Sequence, residues 1–169
     1  MTLLIETLTV GCAISVSTVF SIKASPLPDL TDIAESQLGV TEQPIGSNWG
    51  PQVKSYLAST GIDFPAPWCA AFVQWCLNKI GQKGYGAYVP SWDKKDLRVE
   101  TPKRNDLGLV WFSSMKRYAH IYIVTGRPST RSVESIEGNT NNGGSREGIG
   151  VFKRIRPIDG QRFVRLSNG

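Results

Sequence analysis

The clearest hydrophobic pattern in the chain lies between residues 67 and 81, where apolar positions recur at the spacing of an α-helix. These positions are Cys69, Phe72, Val73, Cys76, Leu77 and Ile80. Pro67 suits the first turn of a helix, and Gly81 suits the position just past its end. The pattern therefore predicts a helix that carries Cys69 in its first turn, on the face that points into the protein.

Shorter helices are predicted before this one, and strands after it. The helices span Asp29–Leu38, with Asp29 or Thr31 as the N-cap, and Pro51–Thr60. Five runs separated by turn-rich stretches predict strands: Gly108–Phe112, Tyr118–Thr125, Arg131–Gly138, Ile149–Arg156 and Arg162–Leu166. We therefore expect an α+β domain, with N-terminal helices packed on an antiparallel sheet of about five to six strands.

His120, the single histidine of the chain, lies in a run of β-branched and aromatic residues. Apolar residues occupy both the odd and the even positions of this run. Such a run predicts a strand covered on both faces. A turn signal and a second strand-like run follow, so the two strands are expected to form a hairpin. If the hairpin is centred between Pro128 and Ser129, His120 lies opposite Glu137, and Asn139 is its diagonal neighbour on the same face. A bulge or an asymmetric loop would change this register.

Cys69 and His120 together suggest a nucleophile and its base. Unpaired backbone N–H groups and the positive end of the helix dipole favour a thiolate in the first turn, and the Cys69 N–H could donate to an oxyanion. The order Cys69, His120, then Glu137 or Asn139 fits cysteine-dependent acyl transfer. Two other interpretations stay open, because Cys69 could be a small core residue and His120 a satisfied core histidine.

Three short motifs resemble the CHAP family of cysteine amidohydrolases and peptidases, relatives of the NlpC/P60 enzymes in the papain-like group. They are residues 67–73 (PWCAAFV), 119–124 (AHIYIV) and 137–139 (EGN). The resemblance extends over roughly residues 29–157 and includes residues 48–57 (NWGPQVKSYL), which are similar to the helix that precedes the cysteine helix in bacterial and phage members. It implies a papain-like fold.

The resemblance also implies a function, which is cleavage of an amide bond in peptidoglycan by an amidase or a peptide endopeptidase. By matching positions, Cys69 would be the nucleophile, His120 the general base and acid, and Glu137 with Asn139 the pair that orients His120. An endolysin, an autolysin or an antibacterial toxin would use the same chemistry, and a toxin would imply an immunity protein as a partner. The alternative is a catalytically silent wall-binding protein of the same fold.

Some family members hold calcium through acidic residues just before the cysteine. Here residues 62–68 contain one acid, Asp63, which cannot supply the ligands that calcium takes. The spacing of Cys69, Cys76 and His120 matches no common zinc pattern. We therefore predict that the protein needs no metal and no other cofactor.

Trp68 adjoins the proposed nucleophile, and Trp92 lies in an irregular stretch. Aromatic side chains stack on sugars and peptides, so both are candidate substrate-binding residues, with packing in the core as the alternative.

The chain has 169 residues, a formal net charge of +5 and a pI near 9.2, which suit adsorption to anionic wall polymers. Basic residues cluster near the C-terminus at Lys153, Arg154, Arg156, Arg162 and Arg165. We interpret this cluster as a solvated face of edge strands, because no nucleic-acid-binding motif accompanies it. Three cysteines exclude a fully paired set of disulfides. We expect a monomer.

Residues 1–28 are predicted to be separate from the catalytic domain, which we expect to span residues 29–169. No charge occurs from Thr7 to Ile22, a length that suits the core of a signal peptide. Alternation of apolar and small or polar residues there also fits a strand. A signal peptide, an anchor and a strand remain open for this segment, and the protein is expected to act in the periplasm, in the cell wall or outside the cell.

Overall fold

The computed structural model describes residues 27–143 and 148–166. Within them lie three α-helices: α1 (Leu30–Glu35), α2 (Pro51–Ala58) and α3 (Cys69–Lys79). Six strands follow: β1 (Arg98–Val99), β2 (Leu107–Phe112), β3 (Arg117–Gly126), β4 (Ser132–Thr140), β5 (Gly150–Pro157) and β6 (Gln161–Val164). They form one antiparallel sheet in the order β1-β6-β2-β3-β4-β5. The predicted α+β class is confirmed, with β1 as a strand that the sequence pattern missed.

Local signals fix where the helices start. Asp29 caps α1 through a capping box with Asp32. Pro51 occupies the first position of α2, where its missing N–H costs nothing. The third helix begins later than predicted, because Trp68 is its N-cap and Pro67 therefore lies outside its first turn.

The core lies between the helices and one face of the sheet. Eight of the eleven residues of α3 are buried, and they pack with α1 and α2 against the inward face of β2–β4. A smaller cluster made by Tyr122, Val124, Val133 and Phe163 covers the other face. The central strand β3 is thus covered on both sides, as its sequence predicted.

The start of α3 lies directly on the backbone of β4 at Gly138. A Cβ atom at this position would lie 2.6 Å from the Cβ of Phe72 and 2.8 Å from the ring of Trp68. Only glycine permits this approach, which brings Cys69 close to the strand that carries Glu137.

The register of the β3–β4 hairpin differs from the predicted one. Ile123 pairs with Ile136, and an irregularity follows near Gly126. Continued by one residue, this register places Tyr122 rather than His120 opposite Glu137. The hairpin is longer and less symmetric than the predicted one, and its centre does not lie between Pro128 and Ser129. Because the error is two residues, His120 and Glu137 remain on the same face as diagonal neighbours.

No helix among the described residues is long and apolar enough to cross a membrane. The three interpretations of residues 1–28 fall almost entirely on residues 1–26, which lie outside the described part of the chain.

Candidate active site

Cys69 is the first residue of α3, and its side chain is buried at the base of the helix. No side chain caps this helix start, and the backbone N–H of Ala70 in its first turn donates to the sulfur of Cys69. Burial alone would raise the pKa of the Cys69 thiol. The hydrogen bond and positive charge of His120 outweigh that effect, with help from the backbone N–H groups of Ile121 and Ala70, and lower the pKa.

His120 lies on β3 and is nearly buried, with 9% of its surface exposed. Its Nε2 atom lies 2.8 Å from Oε2 of Glu137, which leaves Nδ1 for the sulfur of Cys69. Burial acts to lower the pKa of His120. Its contacts with Cys69 and Glu137 favour the imidazolium more strongly and raise that pKa to about 9.

Glu137 is completely buried, and its carboxylate is held by three further hydrogen bonds. Arg156 donates from Nε to Oε1 at 2.7 Å and from Nη2 to Oε2 at 2.6 Å. The hydroxyl of Ser135 donates to Oε1 at 2.7 Å. Burial opposes ionisation of Glu137, but Arg156 and then His120 hold its pKa well below the usual range. The carboxylate is therefore charged at neutral pH.

The four groups form a row of alternating charge, from the thiolate through the imidazolium and the carboxylate to the guanidinium. Each buried charge has a neighbour of opposite sign in contact with it. Such pairing is what makes buried charges tolerable in a protein interior. The lowered pKa of Cys69 and the raised pKa of His120 favour a thiolate beside an imidazolium, a pair that can act chemically as a nucleophile and a proton donor.

Sequence reasoning missed the roles of Arg156 and Ser135. Arg156 was assigned to a solvated basic cluster, and this assignment is wrong because its guanidinium is paired with buried Glu137. Arg165, from the same cluster, pairs with the buried Asp106 at 2.8 Å. Arg154 and Arg156 are two residues apart on β5 and so share a face, but only the β4–β5 register shows that this face is the one that carries Glu137.

Asn139 does not contact the imidazole as expected of an orienting pair. It has a left-handed backbone conformation with φ of 54°, within an irregularity between Glu137 and Thr140. The bulge turns its side chain away, so that Nδ2 donates to Oδ1 of Asn48 at 3.1 Å. Within residues 27–143 and 148–166, the carboxylate in contact with the imidazole is that of Glu137.

The expectation that Trp68 and Trp92 bind substrate is also corrected. Both side chains have no exposed surface, so neither can stack on a sugar or peptide. Trp68 stacks on Tyr56 with ring centroids 5.5 Å apart and donates from Nε1 to Glu42 at 2.9 Å. Trp92 donates to the backbone carbonyl of Gly86, also at 2.9 Å. Both are core residues whose polar atoms are satisfied.

The second cysteine of α3, Cys76, is fully buried, and burial raises the pKa of its thiol. Cys69 and Cys76 are both free thiols. Across residues 27–143 and 148–166, no three His, Cys, Asp or Glu side chains are grouped so that they could hold a metal ion.

The fold and the position of the site define a papain-like α+β domain, in which a core helix begins at a cysteine that faces a histidine on the sheet. The CHAP domain family model matches residues 61–139 of the chain, which include Cys69, His120 and Glu137. This match confirms the resemblance of the sequence motifs to the CHAP domain family. CHAP domains are generally hydrolases that act on peptidoglycan. No curated protein and no solved structure matches the chain.

Proposed function

We propose that this protein is a cysteine hydrolase that cleaves an amide bond of peptidoglycan, with Cys69 as the nucleophile. One observation carries the proposal, which is the unbroken row of contacts from Cys69 through His120 and Glu137 to Arg156. The match to the CHAP domain family supports peptidoglycan as the substrate class. The silent alternative is disfavoured, since a binding protein has no use for a buried thiolate held next to an imidazolium.

The reaction follows from this geometry. The Cys69 thiolate attacks the carbonyl carbon of the amide, and the oxyanion that forms accepts hydrogen bonds from open N–H groups at the start of α3. The His120 imidazolium then protonates the leaving amine as the C–N bond breaks, which leaves a thioester on Cys69. Neutral His120 next takes a proton from water, which attacks the thioester, releases a carboxylic acid and restores the thiolate and imidazolium.

Digestion of purified sacculi tests this proposal and identifies the bond. We expect the protein to release soluble fragments and the Cys69→Ala variant to release none, while Cys76→Ala, on the same helix, remains active. Mass spectrometry of the new ends distinguishes an amidase, which frees the carboxyl group of muramic acid, from an endopeptidase, which frees peptide amines. Wall digestion by Cys69→Ala, or no product from the wild type at any pH, would contradict the proposal.

The substrate contacts that the two buried tryptophans cannot make are assigned instead to exposed aromatic side chains near His120. Trp111 and Tyr88 are 47% and 59% exposed. Trp111 packs edge to face on Tyr118, with centroids 5.3 Å apart, and Tyr118 is two residues before His120 on β3. Arg117 lies over the ring of Tyr88 at 5.6 Å and adds positive charge. These rings suit sugar faces, and the guanidinium suits the carboxylates of stem peptides.

A peptidoglycan substrate would place the action of the protein in the periplasm, in the cell wall or outside the cell. An endolysin, an autolysin and an antibacterial toxin all remain compatible with this proposal, and an immunity protein would be a partner only of a toxin. We propose a monomer, since the row of charged groups is completed within one chain.

A further inference from the structure

We infer that Glu42 is a positioning residue, which holds the start of α3 and the end of β4 at the separation that the Cys69–His120 contact requires. This inference deepens the proposed function and rests on it. Glu42 belongs to none of the motifs or site residues recognised from the sequence, and it lies outside the segment that matches the CHAP domain family.

Glu42 is a buried carboxylate with an unusual set of partners. Its residue is 1% exposed, and both hydrogen bonds to its carboxylate come from neutral donors. Oε1 accepts from the indole Nε1 of Trp68 at 2.9 Å, and Oε2 accepts from the backbone N–H of Asn48 at 3.0 Å. Burial of a carboxylate costs free energy that neutral donors offset only in part. A geometric role explains why an acid occupies this place.

The first hydrogen bond acts on the helix that carries the nucleophile. Trp68 is the N-cap residue of α3 and directly precedes Cys69. Its ring is fixed on one side by Tyr56 and touches the backbone of β4 at Gly138. With the indole N–H anchored on Glu42, the N-cap has little freedom to rotate or slide, and Cys69 is held with it.

The second hydrogen bond acts on the strand that carries Glu137. Asn48 accepts a hydrogen bond from the side chain of Asn139, which is two residues beyond Glu137 on β4. The backbone N–H of Glu42 itself donates to the carbonyl of Ile149 at 2.9 Å, just before β5. Glu42 therefore connects the start of α3, the end of β4 and the residue that precedes β5.

The Glu42→Gln variant tests this role. Glutamine has one acceptor oxygen, and its NH₂ group would face one of the two N–H donors, so one of the two links breaks. We expect kcat on sacculi to fall about 10- to 100-fold with little change in KM, because small misplacement of reacting groups is costly. The pH at which iodoacetamide alkylates Cys69 at half its maximal rate should rise, as measured on the Cys69 peptide by mass spectrometry.

Two further variants make the result decisive. Trp68→Phe keeps an aromatic side chain at this position but replaces the indole with a smaller ring that has no N–H. It should therefore reproduce the shift in the alkylation profile, and it decides the question alone if Glu42→Gln does not fold. Glu35→Gln serves as the matched control, because Glu35 is exposed and contacts Lys153 only at 3.4 Å.

A folded Glu42→Gln protein with unchanged kcat and an unchanged alkylation profile would overturn the inference. An alkylation profile that shifts equally in Glu35→Gln would also overturn it, because a general charge effect would then be the cause. Alkylation needs no wall substrate. If the profile shifts as expected but the wild type leaves sacculi intact, the proposed function fails and the positioning role of Glu42 stands.

Discussion

At the scale of single residues, the main feature of this protein is that each charged group of the site sets the ionisation of its neighbour. His120 lowers the pKa of Cys69, Glu137 raises that of His120, and Arg156 lowers that of Glu137. Substitution of any one of these residues should therefore change the pKa of the next group in the row. pH profiles of the variants are thus more informative than single rates.

The alkaline limit of activity should report on His120. In the proposed mechanism the imidazolium is the proton donor for the leaving amine, and raising the pH through its pKa of about 9 removes that proton. We expect kcat/KM on labelled sacculi to fall above about pH 9. In Glu137→Gln this limb should move to lower pH by about one unit or more, because the neighbouring negative charge is lost. An alkaline limb at the same pH in both proteins would contradict this assignment.

Loss of Arg156 should destabilise the fold, because Glu137 would remain buried without its guanidinium. We expect Arg156→Met to lower the free energy of unfolding by about 3 kcal/mol at pH 7, as measured by urea denaturation. Arg127→Met, at an exposed arginine, should change it by less than about 0.5 kcal/mol.

The effect of Arg156→Met should also depend on pH. The folded-state pKa of Glu137 is depressed, so the stabilisation is fully present above its ordinary value of 4.5 and is lost as the pH falls toward the folded value. The difference between wild type and variant should therefore shrink below about pH 4.5. A difference independent of pH would show that packing, rather than charge, is the cause.

At the scale of elements, the close contact between α3 and β4 brings Cys69 to the sheet. Gly138 permits that contact, and the two elements otherwise meet through the large side chains of Phe72 and Trp68. The absence of a side chain at Gly138 thus sets the distance between α3 and β4.

Gly138→Ala should move the start of α3 away from β4. The added methyl group would lie 2.6 Å from the Cβ of Phe72, which cannot rotate away. We expect a loss of about 1–3 kcal/mol in the free energy of unfolding, together with a loss of wall hydrolysis in protein that still folds. Gly126→Ala is the matched control, because its new Cβ would meet only the flexible end of Glu134 at 3.3 Å. Full activity in Gly138→Ala would contradict this explanation.

The elements themselves were largely predictable, because helices and strands follow local periodicity. The cysteine helix was placed within two residues of its observed start, and the hairpin error of two residues preserved the face shared by His120 and Glu137. Arg156 and the burial of Trp68 were not predictable in the same way. The contact of Arg156 with Glu137 depends on the β4–β5 register, and the burial of Trp68 depends on how α2 packs against α3. Neither can be inferred from a single stretch of sequence.

At the scale of the whole molecule, the residues of the site come from four elements that are separated along the chain but meet at one place. Cys69 comes from α3, His120 from β3, Glu137 from β4 and Arg156 from β5. The exposed Trp111 packs on Tyr118, two residues before His120 on β3, and the net charge of +5 favours approach to anionic wall polymers.

Binding to walls should depend on the exposed aromatic side chains. In an inactive Cys69→Ala background, Trp111→Ala and Tyr88→Ala should each weaken binding to sacculi about fivefold, which corresponds to about 1 kcal/mol. Ile155→Ala is the matched control, because Ile155 is 60% exposed and lies on β5. Co-sedimentation at several protein concentrations measures these affinities. Equal losses in all three variants would point to nonspecific adsorption.

The position of Arg156 limits how this domain can be cut or exchanged. The segment that matches the family model ends at Asn139, before β5 begins at Gly150. A chimera that receives only residues 61–139 would carry the cysteine, the histidine and the glutamate, but its acceptor protein would have to provide a guanidinium for the buried carboxylate. Transplantation of the proposed catalytic unit therefore requires a donor fragment that extends through the fifth strand.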